Sequence, residues 1–146
     1  MKKSIKLLLA IFCAIALNSC SNSSDDNDPV TTTLNGTWRL ANVSGGITGI
    51  SDDFDDASIT WTFNPDGSIN IWNTNTDDTK QDLIETGDYD YAIVPNEATP
   101  ELCSQAMVIN SVSYGCYSIS GDTLTLSQIE SDGYQVTLIK IGPVTF

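Results

Sequence analysis

Histidine is absent from this 146-residue chain. The usual general base at neutral pH is therefore missing. No serine or cysteine stands in a nucleophile motif. Carboxylates number 19 against 6 basic residues, so paired acids are too common to point to glycoside hydrolysis. These residues predict a protein that is not an enzyme. The densest acid cluster is "SDDFDDAS" (Ser51–Ser58), with Asp52, Asp53, Asp55 and Asp56 around Phe54. Hard oxygen ligands suit Ca²⁺, but no register supplies the glycine and distal glutamate of an EF-hand loop. The segment reads as a solvated acidic loop, and "TDDTKQD" (Thr76–Asp82) is a weaker case of the same kind. With no histidine and no C-x-x-C pair, a zinc site is not expected. No metal or cofactor is expected. The stronger binding lead is aromatic: Trp61, Phe63, Tyr89, Tyr91 and Tyr117.

The amino terminus carries a different chemistry. Lys2, Lys3 and Lys6 precede an uncharged apolar run of eleven residues, Leu7 to Leu17. A membrane-spanning helix needs about 20 apolar residues. The run fits the apolar region of a secretory signal peptide instead. It ends in Leu17-Asn18-Ser19-Cys20, which resembles a bacterial lipobox. That resemblance implies removal of residues 1–19 and lipidation of Cys20, which makes the membrane a partner through an acyl anchor. Two or three chains at ~0.8 kcal/mol per buried CH₂ hold a protein on the bilayer permanently. Ser21 replaces the aspartate that resembles an inner-membrane retention signal. The run Asp25-Asp26 resembles the export tag of surface-facing lipoproteins in some Gram-negative lineages. Together they imply an outer-membrane address, and the second feature a surface-facing one.

Cleavage changes two counts. Three lysines and no acid are lost, so the net charge moves from −13 to −16. Such a surface repels phosphate backbones, and nucleic acid is excluded as a partner. Cys13 is discarded and Cys20 is taken by lipid, which leaves Cys103 and Cys116. In an exported domain such a pair reads as a disulfide. It would close a loop of about 14 residues and contribute roughly 3 kcal/mol in the chain-entropy model.

Residues 20–33 hold the lipid site and a polar tether, "SNSSDDNDPVTTT". As a coil of about 13 residues it spans roughly 20 Å. From residue 34 to 146 the sequence is strands and turns. "ASITWTF" puts Ile59, Trp61 and Phe63 on one face, as a half-buried strand requires. "NPDG" (Asn64–Gly67) carries type I turn chemistry, and "SINIW" completes a hairpin. "TGDYDYAIV" alternates through Tyr89, Tyr91 and Ile93. "AMVINSVSYGCYSIS" is one long strand or two, since Gly115 invites a bulge. "TLTLSQI" and "YQVTLIKI" follow, and "GPVTF" is left as a short closing strand. No ten-residue segment has a 3.6-residue period. Sequential hairpins favour an up-and-down meander of about 7–8 strands that closes to bury its edges.

Three motifs carry a family likeness. "LNGTWRL" (Leu34–Leu40), "WTFNPDGSINIW" (Trp61–Trp72) and "YSISGDTLTL" (Tyr117–Leu126) resemble the lipocalin-like domains of bacterial lipoproteins. The resemblance implies an all-β antiparallel barrel with Trp38 plugging one end. It also implies an arginine from a late strand over that tryptophan, and here the sequence departs from it. The only arginine, Arg39, is adjacent to Trp38 and points the other way in a strand. Inside such a barrel the five aromatics either fill the core or line a cavity for one small ligand. Trp72 is out of phase with Ile69 and Ile71 and is placed on the outer face. Two functions follow: a non-catalytic carrier of a small apolar ligand, or an accessory subunit docking an envelope protein or glycan through its acidic outer face.

Overall fold

The computed structural model describes residues 33–97, 99–128 and 132–142. The segments expected to be a signal peptide and a tether, Cys20 included, lie outside them up to residue 32, as do residues 98, 129–131 and 143–146. Among the described residues nine strands form in chain order: β1 (Gly36–Gly45), β2 (Ile50–Asp53), β3 (Ile59–Phe63), β4 (Ser68–Asn73), β5 (Gly87–Pro95), β6 (Gln105–Ile109), β7 (Val112–Ser120), β8 (Thr123–Ser127) and β9 (Tyr134–Lys140). All pairings are antiparallel. They run β1-β3-β4-β5-β6-β7-β8-β9, and β9 returns to β1. The molecule is therefore a closed eight-stranded barrel of lipocalin-like type with one additional strand, and closure leaves few free sheet edges.

The additional strand corrects one expectation. Ser51–Asp53, read above as the start of an acidic loop, forms β2 with Ile50 and pairs with Asn42–Gly45 along one edge of β1. Further along the same edge, Gly36–Arg39 pairs with β3. β2 and β3 are thus two pieces of one strand position, interrupted at 54–58. The interruption is seated by Phe54, whose N–H donates to the Ala41 carbonyl and whose ring is buried. One buried aromatic side chain outweighs the local preference of four nearby aspartates for solvent, because those carboxylates can still point outward.

Alternation sets the core. Trp38 faces Trp61, and Trp61 faces Ile71, across three neighbouring strands. On the other side Leu40, Leu138 and Leu124 form a second inward row. All are fully buried. A register shift between Leu40 and Asn42 resets the alternation of β1, so Leu40 and Val43, three apart, both point inward. Near the end of the barrel where β1 begins, Trp38 is fully buried. Its indole N–H donates to the Leu34 carbonyl at 2.7 Å. No arginine covers Trp38; a lysine that the sequence reading did not single out stands there instead: Lys140 Nζ sits 4.4 Å from the Trp38 ring centroid and donates to the carbonyls of Thr33 and Asn35. Burial holds the Lys140 amine below the ordinary lysine range, with Asp122 opposing. Arg39 points outward and pairs with Asp56 at 3.0 Å.

The segment "AMVINSVSYGCYSIS" is two strands. Asn110 and Ser111 both have positive φ (48° and 67°), as a two-residue type I′ hairpin needs. Cys103 and Cys116 are bonded, tying the β5–β6 loop to the middle of β7.

Candidate functional site

The structure separates the five aromatics. Trp61 and Phe63 are buried in the barrel core, with ring centroids 6.4 Å apart. Tyr91 meets Phe63 edge-on at 5.0 Å, and its hydroxyl donates to the Asn64 carbonyl at 3.0 Å. Tyr117 is half-buried on β7. Burial raises the phenol pKa of both Tyr91 and Tyr117; Asp66 and then Tyr117 add to the rise at Tyr91. Tyr89 lies two positions before Tyr91, near the start of β5. It lines an open cleft of about 250 Å³ at the barrel mouth.

That cleft exists because β6 is short. Tyr91 pairs with Ile109, and the chain then turns back at Asn110-Ser111. The Asn110 N–H still reaches the Asp90 carbonyl at 2.9 Å. Beyond that bond, Gly87–Tyr89 has β4 on one side and the start of β7 only across the gap. The walls are Tyr89, Ile109, Val112 and Tyr114, roofed by Leu83 and Ile84, with Glu85 and Asn110 at the edge. At about 250 Å³ it is near the lower end of small-molecule sites. A second recess of about 220 Å³ adjoins it, sharing Tyr89 and Asn110 and adding Ser68, Asp88 and Asp90.

Tyr114 was not among the residues singled out from sequence. It is three residues from Tyr117, so simple alternation assigns the two to opposite faces. A bulge reconciles them. Met107 pairs with Gly115 and Val108 with Ser113, leaving Tyr114 extra. Gly115 takes φ +81°, and a Cβ there would lie 2.0 Å from the Ser127 carbonyl oxygen. Only glycine fits, and the register change turns Tyr114 inward against Trp61, T-shaped at 6.1 Å. Burial raises the Tyr114 phenol pKa, and Tyr89 adds to it. The signal in the sequence was Gly115 itself.

The roof is built from side-chain amides and carboxylates. Asn73 Nδ2 donates to Asp82 Oδ2 and to the Ile84 carbonyl, at 2.9 and 3.0 Å. Thr86 closes the loop on Asn73 from both directions. At its far end the loop crosses to β2. Gln81 N–H donates to Asp52 Oδ2 at 2.8 Å, Lys80 donates to the Asp53 carbonyl, and its Nζ lies 5.4 Å from the Phe54 ring centroid. Leu83 takes a left-handed φ of 70°, a strained setting for a leucine, and packs against the core.

The acid cluster is dispersed by these same contacts. Asp52 serves Gln81, Asp53 accepts from Asn42 at 2.9 Å, and Asp56 pairs with Arg39. Among the described residues no group of three acids or cysteines is disposed to hold a metal. Trp72 is 57% exposed on the outer face, where its phase placed it. Trp61 Nε1 is buried and has no acceptor among the described residues. No family model, curated protein or solved structure matches the chain, so the mouth cleft and its aromatic lining are the basis for reading what the protein does.

Proposed function

We propose that this is a non-catalytic lipoprotein of the outer membrane, anchored through Cys20, whose barrel takes a small apolar ligand in the mouth cleft. The observation that carries the reading is the cleft itself: an apolar, tyrosine-walled recess at the barrel end away from the chain's entry. Strand order puts the start of β1 beside the ends of β3 and β9, whereas the cleft opens where β6 ends and β7 begins. A tether entering at Thr33 would therefore leave the mouth facing away from the bilayer. The deep core is already occupied by Trp38, Trp61 and Phe63, which favours a small ligand held at the mouth over a long chain threaded through the barrel.

Native mass spectrometry of the intact lipidated protein, purified from its own host, tests the reading. A small-molecule adduct is expected in the wild type and absent in Tyr114→Ala. A bare lipidated mass in both counts against it. Radiolabelled palmitate incorporated by the wild type and lost in Cys20→Ala tests the anchor separately.

The exposed Trp72 supports a second reading, an accessory subunit docking an envelope protein or glycan through its outer face. An amphipathic ring beside polar neighbours is a common contact residue. Crosslinking in intact cells should then capture a partner in the wild type and lose it in Trp72→Ser; no captured partner would remove this reading.

A further inference from the structure

We infer that the ligand of the mouth cleft carries an uncharged hydrogen-bond acceptor, a carbonyl or ether oxygen on its apolar body, which accepts from Trp61 Nε1. This rests on the cleft being a ligand site and adds the chemistry that the site selects. Trp61 is fully buried. Among the described residues its indole nitrogen is the one buried side-chain polar atom without a partner. A buried N–H left unmet carries its full desolvation cost, and a phenylalanine would fill much of the same space without it. The core cannot meet it. Every buried residue among those described is apolar, and the residues across from Trp61 on β1 and β4, Trp38 and Ile71, carry no side-chain acceptor.

The cleft is the side from which an acceptor can come. Trp38, Trp61, Ile71 and Gly87 stand in register across β1, β3, β4 and β5. This inward row ends at a glycine. Where a Gly87 side chain would stand, the Tyr89 ring lies instead, its hydroxyl oxygen 3.0 Å from the Cβ position. On the other flank Tyr114 meets the Trp61 ring, T-shaped at 6.1 Å. Both tyrosines are walls of the cleft, so the Tyr114 ring is what stands between the cleft and the indole. It is also the less firmly held of the two. The hydroxyls of Tyr89 and Tyr91 are tied to the carbonyls of Glu85 and Asn64, whereas no hydrogen bond ties that of Tyr114 among the described residues. Its backbone is the extra residue of the β7 bulge. A modest turn of that ring uncovers Trp61 and keeps the ring as a wall. The acceptor is uncharged because the lining holds Glu85 and no lysine or arginine, so a carboxylate or phosphate would meet repulsion with no compensating cation.

Two probes of nearly one shape test this: acetophenone, and α-methylstyrene, in which a CH₂ group replaces the carbonyl oxygen. Each is titrated into the intact lipidated protein in nanodiscs of neutral lipid, as wild type and as Trp61→Phe. Partitioning into lipid is the same for both proteins and cancels in the comparison. The substitution should weaken acetophenone about fivefold, the size of one net hydrogen bond, and leave α-methylstyrene within about twofold. The Trp61 indole N–H resonance, assigned by its loss in Trp61→Phe, should move downfield with acetophenone and not with α-methylstyrene. If neither probe binds the wild type, the ligand-site reading falls and this inference with it. If both bind and Trp61→Phe changes them alike, or the resonance responds equally to both, the site stands and the acceptor is overturned. A cross-peak from the Trp61 N–H to a long-lived water, kept when acetophenone is bound, also overturns it, since water is then the partner.

Discussion

Gly115→Ala should be among the most damaging single-methyl changes in this barrel, and its cost can be built from the structure. Two terms add. A left-handed φ costs an L-residue roughly 1–2 kcal/mol, partly offset by about 0.4–1 kcal/mol from the stiffer unfolded chain. The new Cβ would also lie 2.0 Å from the Ser127 carbonyl oxygen and 2.5 Å from its carbon. Backbone atoms of a paired strand cannot swing away as a side-chain tip can, so β7 must part from β8 there or the bulge must flatten. Overpacking of this kind costs about 1–3 kcal/mol. The sum is about 3 kcal/mol. Gly121→Ala is the internal control. Its φ is also positive at 56°, but nothing lies within 4 Å of a Cβ, so only the first term applies, at about 1 kcal/mol or less. Urea unfolding followed by tryptophan fluorescence gives both values. The difference between the variants isolates the clash, about 2 kcal/mol by the overpacking range. Equal losses at the two glycines would refute the reasoning. Flattening the bulge should also turn Tyr114 away from Trp61, so Gly115→Ala should lose ligand binding and Gly121→Ala should keep it.

Replacing Cys103 and Cys116 together by serine should cost roughly 3 kcal/mol by the loop-closure estimate, read as a lower urea midpoint; an unchanged midpoint would show that the bridge adds nothing. Trp61→Phe should cost less than about 1 kcal/mol, because it removes a buried, unpartnered N–H whose desolvation offsets the lost packing; a loss above about 3 kcal/mol, usual for large core truncations, would contradict that. Stability should fall above pH 10. Tyr91, Tyr114 and Tyr117 have phenol pKa values raised by burial, so their contribution is full below the unfolded value of 10.0 and is lost as pH rises through the folded values. Lys140, lowered by burial, opposes this as pH rises towards 10.5, but it is one group against three. Ultraviolet titration of tyrosinate alongside the unfolding curve checks the coincidence; three tyrosines ionising before any loss of structure would refute it.

Much of the scaffold was legible because its determinants are local. Ile59, Trp61 and Phe63 alternate within five residues. Asn64–Gly67 holds its own turn: Asp66 accepts from the Ser68 N–H and hydroxyl, which lowers the Asp66 pKa. Tyr89 and Tyr91 share the inward face of β5 because they are two positions apart, with only Asp90 between them. The disulfide between Cys103 and Cys116 was legible from the cysteine count, since Cys13 and Cys20 fall in the amino-terminal segment. Phe54 was harder to place, because its burial depends on the distant Ala41 carbonyl rather than on the aspartates around it.

From its own residues the chain determined the all-β class, the hairpins, the outward Trp72 and the glycine at which β7 bulges, since each depends on a few adjacent φ, ψ and side-chain preferences. The closure of β9 on β1, the splitting of one strand position into β2 and β3, Lys140 over Trp38 and the cleft left where β6 stops short were decided by tertiary structure. Each joins groups far apart in the chain, and their meeting depends on strand tilt, register and packing summed around the whole barrel. A bulge of one residue at Gly115 is enough to bring Tyr114 into the mouth, and no local pattern specifies which side chain stands across from it.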